Sequence, residues 1–302
     1  MRNVLLAMAV GVTFSGMAQI LNVGSIEKVN IPENRDNVVA AISPQGDYLL
    51  LTSSSNKGLT KFDLSTQQTS VVTTDEGAGF DVMITSDGKN IIYRETSFTP
   101  NHLRKVALKA KNMATGAQQV LVAPTRDLEG AAIQGATALA VDGGRLSARA
   151  LNGTSTVTSR PVLSIKNRQL MITENGQTRL FSPMGTDHSY LWASISPDGS
   201  KVVYFIAGNG TWVCDINGEN SRRIGILRAP QWLNDSVIVG MYDEDDGEFI
   251  YASKIIAADL NGNQQTLTGD NVVAMYPHAS AAGDKIAFST PAGEAYIINV
   301  NK

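Results

Sequence analysis

The chain has 302 residues, with 25 lysines and arginines against 28 aspartates and glutamates, so its net charge is −3. Such a mild charge, with basic residues that do not cluster, argues against a nucleic-acid partner. Cys214 is the only cysteine, which excludes a disulfide framework, and its apolar strand context predicts a core residue. A chain of this length can bury a sufficient core without disulfides.

The first residues have the pattern of a secretory signal peptide. Arg2 precedes an uncharged run from Val4 to Phe14, and small residues follow up to Ala18. This run is shorter than the roughly 20 apolar residues of a membrane-spanning helix. We therefore expect residues 1–18 to be a cleaved signal peptide and residues 19–302 to form a single domain. The mature protein is expected to be periplasmic or secreted, with no stable membrane anchor.

A similar turn recurs along the chain, each time between an apolar run and a strand-like segment rich in β-branched and aromatic residues. Its four clear copies are Ser43-Pro44-Gln45-Gly46, Thr85-Ser86-Asp87-Gly88, Ser196-Pro197-Asp198-Gly199 and Ser280-Ala281-Ala282-Gly283. Proline suits the first central position of a type I turn, and glycine takes the left-handed position that closes a hairpin. A turn repeated at a long period indicates a repeat protein.

Degenerate copies at 141–144 and 232–235 raise the number of turns to six, spaced about 47 residues apart on average, which is close to the length of a propeller blade. A third strand, such as Lys61-Phe62-Asp63-Leu64, and a fourth, such as Thr69-Ser70-Val71-Val72, follow the hairpin. Four antiparallel strands per repeat predict an all-β, six-bladed β-propeller.

The last repeat ends with its third strand, Ala295 to Val300, and so lacks an outermost strand. The segment from Gly24 to Asn30 resembles a fourth strand and precedes the first complete repeat. We expect this N-terminal strand to close the ring by pairing with the C-terminal blade, because closure removes exposed strand edges.

The run from Ala193 to Gly199, continuing through Val202-Val203-Tyr204, resembles the repeat of TolB-type six-bladed propellers, as does the weaker run from Pro230 to Asp235. The resemblance covers essentially the whole chain after residue 18. It implies the fold, an exported setting and a tendency to bind other molecules. Two features are expected to depart from it: residues 151–166 look like an insert in the third repeat, and we expect no additional N-terminal domain before the propeller.

The innermost strand of each propeller blade lines the axial channel, and the loops leading into it form one face. A mixture of aromatic and polar residues near the channel mouth is typical of a binding site. We predict ligand-binding residues there at Phe80, Asp81, His188, Tyr190, Trp232, Tyr276 and His278, with Arg35, Asp36 and Gln231 beside them. The alternative for these residues, and for Trp192, is packing between blades.

The acidic loop 243–248 offers oxygen ligands for calcium, but its spacing differs from an EF-hand loop, since Gly247 stands fifth instead of sixth. A solvated turn is the favoured interpretation. The chain has no Gly-x-Ser-x-Gly elbow and no His-x-x-x-His or paired-cysteine signature. We therefore predict no metal, no cofactor and no catalytic residues.

The favoured function is a non-enzymatic exported binding or scaffold propeller, which recognises an envelope or extracellular protein, a peptide or a glycan at the channel mouth as a monomer. Aromatic side chains supply contact area there at low entropic cost. One alternative is a carbohydrate-active lyase or hydrolase using Asp81, Asp243, His188 and His278 in the channel. Another is a purely structural scaffold of the envelope.

Overall fold

The computed structural model describes residues 19–31, 36–151 and 160–301, and these form a ring of seven antiparallel β-sheets. Each sheet is one propeller blade. Blade 1 contains β2 (Val38–Ile42), β3 (Tyr48–Thr52), β4 (Leu59–Asp63) and β5 (Thr69–Thr73). Blade 2 contains β6 (Met83–Ile84), β7 (Asn90–Phe98), β8 (Arg104–Asn112) and β9 (Gln118–Thr125).

Blades 3 and 4 have three strands each among the described residues. Blade 3 contains β10 (Leu128–Gln134), β11 (Thr137–Asp142) and β12 (Arg145–Ala150), and blade 4 contains β13 (Val162–Lys166), β14 (Gln169–Glu174) and β15 (Gln177–Leu180). Blade 5 contains β16 (Tyr190–Ile195), β17 (Lys201–Ile206), β18 (Gly210–Asp215) and β19 (Arg222–Gly225). Blade 6 contains β20 (Arg228–Trp232), β21 (Val237–Asp245), β22 (Ile250–Asp259) and β23 (Gln264–Thr266).

Blade 7 contains β24 (Met275–Ala279), β25 (Lys285–Ser289) and β26 (Ala295–Asn301), and its fourth strand is β1 (Asn22–Lys28) from the start of the described chain. The predicted pairing is present, since β1 runs antiparallel to β26 from Asn22 opposite Asn301 to Lys28 opposite Tyr296. This pairing completes blade 7 but does not join it to blade 1. No strands of neighbouring sheets pair among the described residues, and blades 7 and 1 meet through side chains such as Ala287, Ile297, Leu49 and Phe62.

The predicted number of six blades is wrong, because blade 4 does not use the recurrent turn. Its first hairpin is closed by Asn167 and Arg168, both left-handed with φ of 52° and 66°, as in a type I′ turn. Part of the expected insert at 151–166 is therefore β13. The degenerate turn at Gly143-Gly144 is also placed differently, since it joins β11 to β12 instead of the first strand to the second.

Blade 4 also runs in the opposite direction along the channel. Arg160, just before β13, donates hydrogen bonds to Gln134 and to the Ser196 carbonyl, which stand where β10 and β16 end. Arg168, just after β13, accepts a hydrogen bond from the backbone of Tyr190, where β16 begins. The innermost strand of blade 4 is therefore antiparallel to that of blade 5.

The four clear turns form as predicted, and the hydrogen bonds of their first residue explain why a serine or threonine recurs at that position. In each turn the glycine N–H donates to the carbonyl of the first residue, as from Gly46 to Ser43 at 2.9 Å and from Gly199 to Ser196 at 2.9 Å. The hydroxyl of Ser43 also accepts hydrogen bonds from the N–H groups of Asp47 and Tyr48. A serine or threonine is thus needed to satisfy the start of the second strand.

The core lies between the faces of neighbouring blades. Tyr190, Tyr204 and Leu170 share one cluster of blades 4 and 5, for example, and Leu50 and Tyr93 share one of blades 1 and 2. Cys214 is buried in the first of these clusters, and burial raises the pKa of its thiol to about 12, consistent with a core residue. No helix that could cross a membrane occurs in the described residues.

Candidate functional site

The two ends of the ring differ in what they carry. We call the end with the recurrent turns the turn face. The opposite end, where the chain enters the innermost strands at Phe80, Arg228 and Tyr276 and where the β7–β8 and β21–β22 loops lie, is the loop face. The predicted channel-mouth site belongs to the loop face.

Four innermost strands share an unusual backbone conformation near the loop face. Asp81, Trp192, Ala229 and Tyr276 have φ between 47° and 54°, and each stands three or four residues before the start of its turn. A left-handed non-glycine residue costs about 1 to 2 kcal/mol. Three of the four lie at register shifts where the strand bulges. A bulge interrupts the alternation of side chains, so these residues are turned away from the positions that a regular strand would give them.

Three aromatic side chains are exposed at this level of the ring. Phe80 is 56% exposed, Tyr276 is 40% exposed and Trp192 is 37% exposed. The Trp192 ring rests edge-on against Phe205, with 5.4 Å between the ring centroids. These residues come from blades 2, 7 and 5, so the exposed aromatics are distributed around the channel mouth.

Arg94 holds one aromatic group in place. Its guanidinium carbon lies 5.5 Å from the centroid of the Phe80 ring, within cation–π range. The same guanidinium forms an ion pair with the Asp81 carboxylate and a hydrogen bond to the Asp81 carbonyl. The Arg94 side chain is only 11% exposed, so this arginine is fixed between a carboxylate and an aromatic ring.

Arg228 repeats this arrangement in blades 5 and 6. Its guanidinium carbon lies 5.9 Å from the Trp192 ring centroid, and its Nη1 lies 2.6 Å from Oδ2 of Asp243 and 3.4 Å from Asp245. The Asp243 side chain is fully buried, and its Oδ1 has no hydrogen-bond partner among the described residues. Burial raises the pKa of Asp243, and the positive charge of Arg228 opposes this effect.

Two hairpins of the loop face carry further exposed apolar side chains. Phe98 and Leu103 lie at the end of the β7–β8 hairpin. Tyr242, Phe249 and Tyr251 lie on the β21–β22 hairpin. Apolar side chains concentrated on one face of a soluble protein are typical of an interaction surface.

Two predicted site residues are not part of this surface. Tyr190 is fully buried, and its hydroxyl accepts a hydrogen bond from Met184 N at 2.9 Å and donates to the Gly185 carbonyl at 3.0 Å. Trp232 lies at the turn-face end of β20, where its indole N–H donates to the Ser194 carbonyl at 3.3 Å. For both residues the structure favours the packing alternative.

The two predicted histidines are separated. His188 is half-buried before β16, and its carbonyl accepts a hydrogen bond from Gln169. His278 lies inside the channel with Gln231, where they line a cavity of about 180 Å³ with small and aliphatic residues. Burial lowers the pKa of His278 to about 4, and a hydrogen bond with the Val39 backbone opposes the shift. The imidazole is therefore neutral at pH 7.

The remaining predicted residues have local roles. Asp36 accepts hydrogen bonds from the backbone and hydroxyl of Ser54, while Arg35 and residues 1–18 lie outside the described residues. In the acidic loop, Asp245 and Asp246 accept hydrogen bonds from backbone N–H groups of Gly247, Glu248 and Phe249. Within the described chain, no three histidine, cysteine or acidic side chains are grouped in a way that could hold a metal ion.

The four residues of the carbohydrate-active alternative lie on four different blades. Asp81 and Asp243 are each paired with an arginine. The channel cavity that contains His278 has no carboxylate in its lining. A glycosidase or lyase of this kind needs an acid and a base on opposite sides of one reacting bond, and these residues do not form such a pair.

A larger cavity lies on the turn face. It has a volume of about 530 Å³ and lies between the turns of blades 5, 6 and 7, with Trp232, Leu233, Asp235 and Leu21 in its wall. Its size is within the range of small-molecule sites. It is the principal competitor of the loop face as a binding site.

Sequence reasoning missed Trp192, Arg94 and Arg228 as members of the site. A signal for Trp192 was present, because it stands four residues before Ser196, just as Asp81 and Tyr276 precede their own turns. The arginines had no such signal. Both act through partners from another strand or another blade, which the sequence does not place beside them.

Comparison with known proteins supports the fold. No protein-family model matches the chain, and no curated protein sequence matches it. An oligogalacturonate lyase from Vibrio parahaemolyticus is similar in structure, with 16% identity and a TM-score of 0.46 over 86% of this chain and 76% of the lyase chain. A chain of the Mitotic Checkpoint Complex is similar at 8% identity, with a TM-score of 0.60 over 100% of this chain and 99% of that one. At these identities the likeness concerns architecture alone, and the β-propeller fold of this chain is shown by its own seven sheets.

Proposed function

We propose that this chain is a non-enzymatic, exported propeller that binds a partner on its loop face. The observation that carries the proposal is the repeated group of an arginine fixed between a carboxylate and an exposed aromatic ring, Arg94 with Phe80 and Arg228 with Trp192. Arginine and large aromatic residues dominate the binding energy of protein interfaces. Because both arginines are already held by carboxylates, they lose little side-chain entropy when a partner binds.

A protein or peptide suits this surface better than a glycan or a small molecule does. The exposed groups are spread over blades 2, 5 and 7 and along two projecting hairpins. The two cavities described above open instead in the channel and on the turn face. An extended protein or peptide would contact several of the separated aromatics at once.

The export part of the proposal rests on residues 1–18 and on the resemblance to TolB-type repeats. It is tested by fractionating cells that produce the chain and sequencing the N-terminus of the mature protein. We expect a start at Gln19 in the periplasmic or secreted fraction. An intact Met1 in the cytoplasmic fraction would overturn this part while leaving the binding surface untested.

The binding part is tested by a thermal-shift screen of the purified protein against peptides and oligosaccharides. A ligand at about a hundred times its Kd adds about 2.7 kcal/mol to the free energy of unfolding. The shift should disappear in a Trp192→Ala/Tyr276→Ala variant. It should persist in Val71→Ala, which removes a more exposed apolar side chain from the outer strand β5. A shift that survives the double substitution would contradict the assignment to the loop face.

A further inference from the structure

The hairpins of blades 2 and 6 are longer than their counterparts. β7 and β8 have nine residues each, and β21 and β22 have nine and ten. The second strands of the other blades have five or six. Three additional residues extend an antiparallel strand by about 10 Å. Both hairpins therefore project from the loop face beyond the ends of the other blades.

The two hairpins carry opposite charge. Near the end of the blade 2 hairpin, Arg104 and Lys105 form no ion pair with an acidic side chain of the described residues. The carboxylate nearest to them in this hairpin, Glu95, is bound by Lys109 at 2.9 Å. On the blade 6 hairpin, Glu244, Asp246 and Glu248 are exposed and form no ion pair within the part of the chain that the structure describes. Each hairpin thus has uncompensated charge that a complementary surface could neutralise.

Apolar side chains accompany the charges. Phe98 and Leu103 lie beside the basic residues, while Phe249 and Tyr251 lie beside the acidic ones. A surface with exposed aromatic groups and unpaired charges matches the composition of protein interfaces, where the apolar groups supply burial and the charges set the orientation.

The positions of the two hairpins in the ring allow them to meet in pairs. In a seven-bladed ring each step is about 51°, so blades 2 and 6 are separated by about 154° through blades 7 and 1. A two-fold axis parallel to the loop face that passes through blade 4 exchanges the positions of blades 2 and 6. A second copy generated by this axis faces the first loop face to loop face. Its acidic hairpin then lies opposite the basic hairpin of the first copy, and the reverse contact forms simultaneously.

We propose that the partner recognised by the loop face is a second copy of this chain, with the basic hairpin of each copy against the acidic hairpin of the other. This inference rests on the proposed function, because it requires the loop face to be a recognition surface. It replaces the expectation of a monomer. The aromatic groups at the channel mouth then face each other across a space bounded by the two pairs of hairpins.

The test is sedimentation equilibrium of the purified mature protein at concentrations up to about 100 µM, in low salt and in about 0.5 M salt. We expect a dimer in low salt with a Kd that weakens at least tenfold in high salt. Two charge-reversal variants, Arg104→Glu/Lys105→Glu and Asp246→Lys/Glu248→Lys, should each be monomeric, because both of their contacts then bring like charges together.

An equimolar mixture of the two variants should recover the dimer. In the mixed pair the reversed hairpins face each other and the unaltered hairpins face each other, so both contacts are again complementary. Lys89→Glu/Arg222→Glu is the matched control, since it reverses two exposed basic residues at the turn-face ends of β7 and β19 and should leave the dimer unchanged. A wild-type monomer, or variants that fail to reassociate when mixed, would overturn the proposal.

The same variants separate this inference from the proposed function. If monomeric Arg104→Glu/Lys105→Glu still shows a ligand-induced shift that Trp192→Ala/Tyr276→Ala removes, the loop face binds an external partner independently of self-association. If the wild type forms a dimer and the two variants reassociate when mixed, but the ligand screen gives no shift, self-association is supported and the binding of an external partner is contradicted.

Discussion

Replacing Gln265 with alanine should destabilise the junction between the start of the described chain and blade 6. The Gln265 amide makes three hydrogen bonds to this segment. Its Oε1 accepts from the N–H groups of Ile20 and Leu21, both at 2.7 Å, and its Nε2 donates to the Leu21 carbonyl at 3.0 Å. Leu21 is buried and β1 begins with the next residue, so these bonds position the strand that completes blade 7.

The loss can be estimated from the number of bonds. A partly buried hydrogen bond contributes about 0.5 to 1.5 kcal/mol net, so three should contribute about 1.5 to 4.5 kcal/mol. For a chain of this size the decrease in Tm is about 2 to 4 °C per kcal/mol, or about 3 to 18 °C in total. Deleting residues 19–31 should lower Tm further, because the edge of β26 then loses its partner strand.

Differential scanning calorimetry is the appropriate assay, with Gln177→Ala as the matched control. Gln177 is exposed on β15, and its side chain makes no hydrogen bond to any residue that the structure describes. The control should melt within about 1 °C of the wild type, as surface substitutions usually do. If Gln265→Ala melted together with this control, the contribution assigned to the three bonds would be refuted.

Three further predictions concern buried groups. His278→Gln should flatten the pH dependence of the free energy of unfolding, measured by urea melts at each pH. The wild type loses up to about 3 kcal/mol of this free energy as pH falls from 6.5 through about 4, because the unfolded chain binds the proton before the folded protein does. Tyr190→Phe should lower the free energy of unfolding by about 1 to 3 kcal/mol in the same melts without changing ligand binding, since it leaves the Met184 N–H without its hydrogen-bond acceptor. Gly79→Ala should lower Tm by several degrees in calorimetry because a Cβ would overlap the Thr52 side chain, and an unchanged Tm would contradict the packing of this glycine.

Where a local sequence determines a local structure, the sequence predicted the fold well. The hydroxyl of Ser43 and the left-handed Gly46 act within one hairpin, so the turn that contains them could be identified and its strands placed. The β1–β26 pairing followed from a missing strand. The number of blades did not follow, because the Asn167-Arg168 turn closes the same kind of hairpin with different residues.

Bulges limit what the sequence predicts about the orientation of side chains at the candidate site, because they interrupt the alternation along a strand. Register shifts in β16 and β24 lie next to Trp192 and Tyr276. In a regular strand, neighbouring residues point to opposite faces, but a bulge alters which side chain reaches solvent. Tyr190, which was predicted near the channel mouth with packing as the alternative, is buried, and Trp192, for which packing was also considered, is exposed.

The most direct test of the account is to titrate a ligand from the thermal-shift screen, by calorimetry, into two variants that each lose one tryptophan. Trp192 belongs to the loop face, and Trp232 lines the turn-face cavity. If the partner binds the loop face, Trp192→Ala weakens Kd at least tenfold, about 1.4 kcal/mol, while Trp232→Ala, once shown to be folded, leaves Kd unchanged. Binding lost in Trp232→Ala and retained in Trp192→Ala would place the site on the turn face and contradict the account.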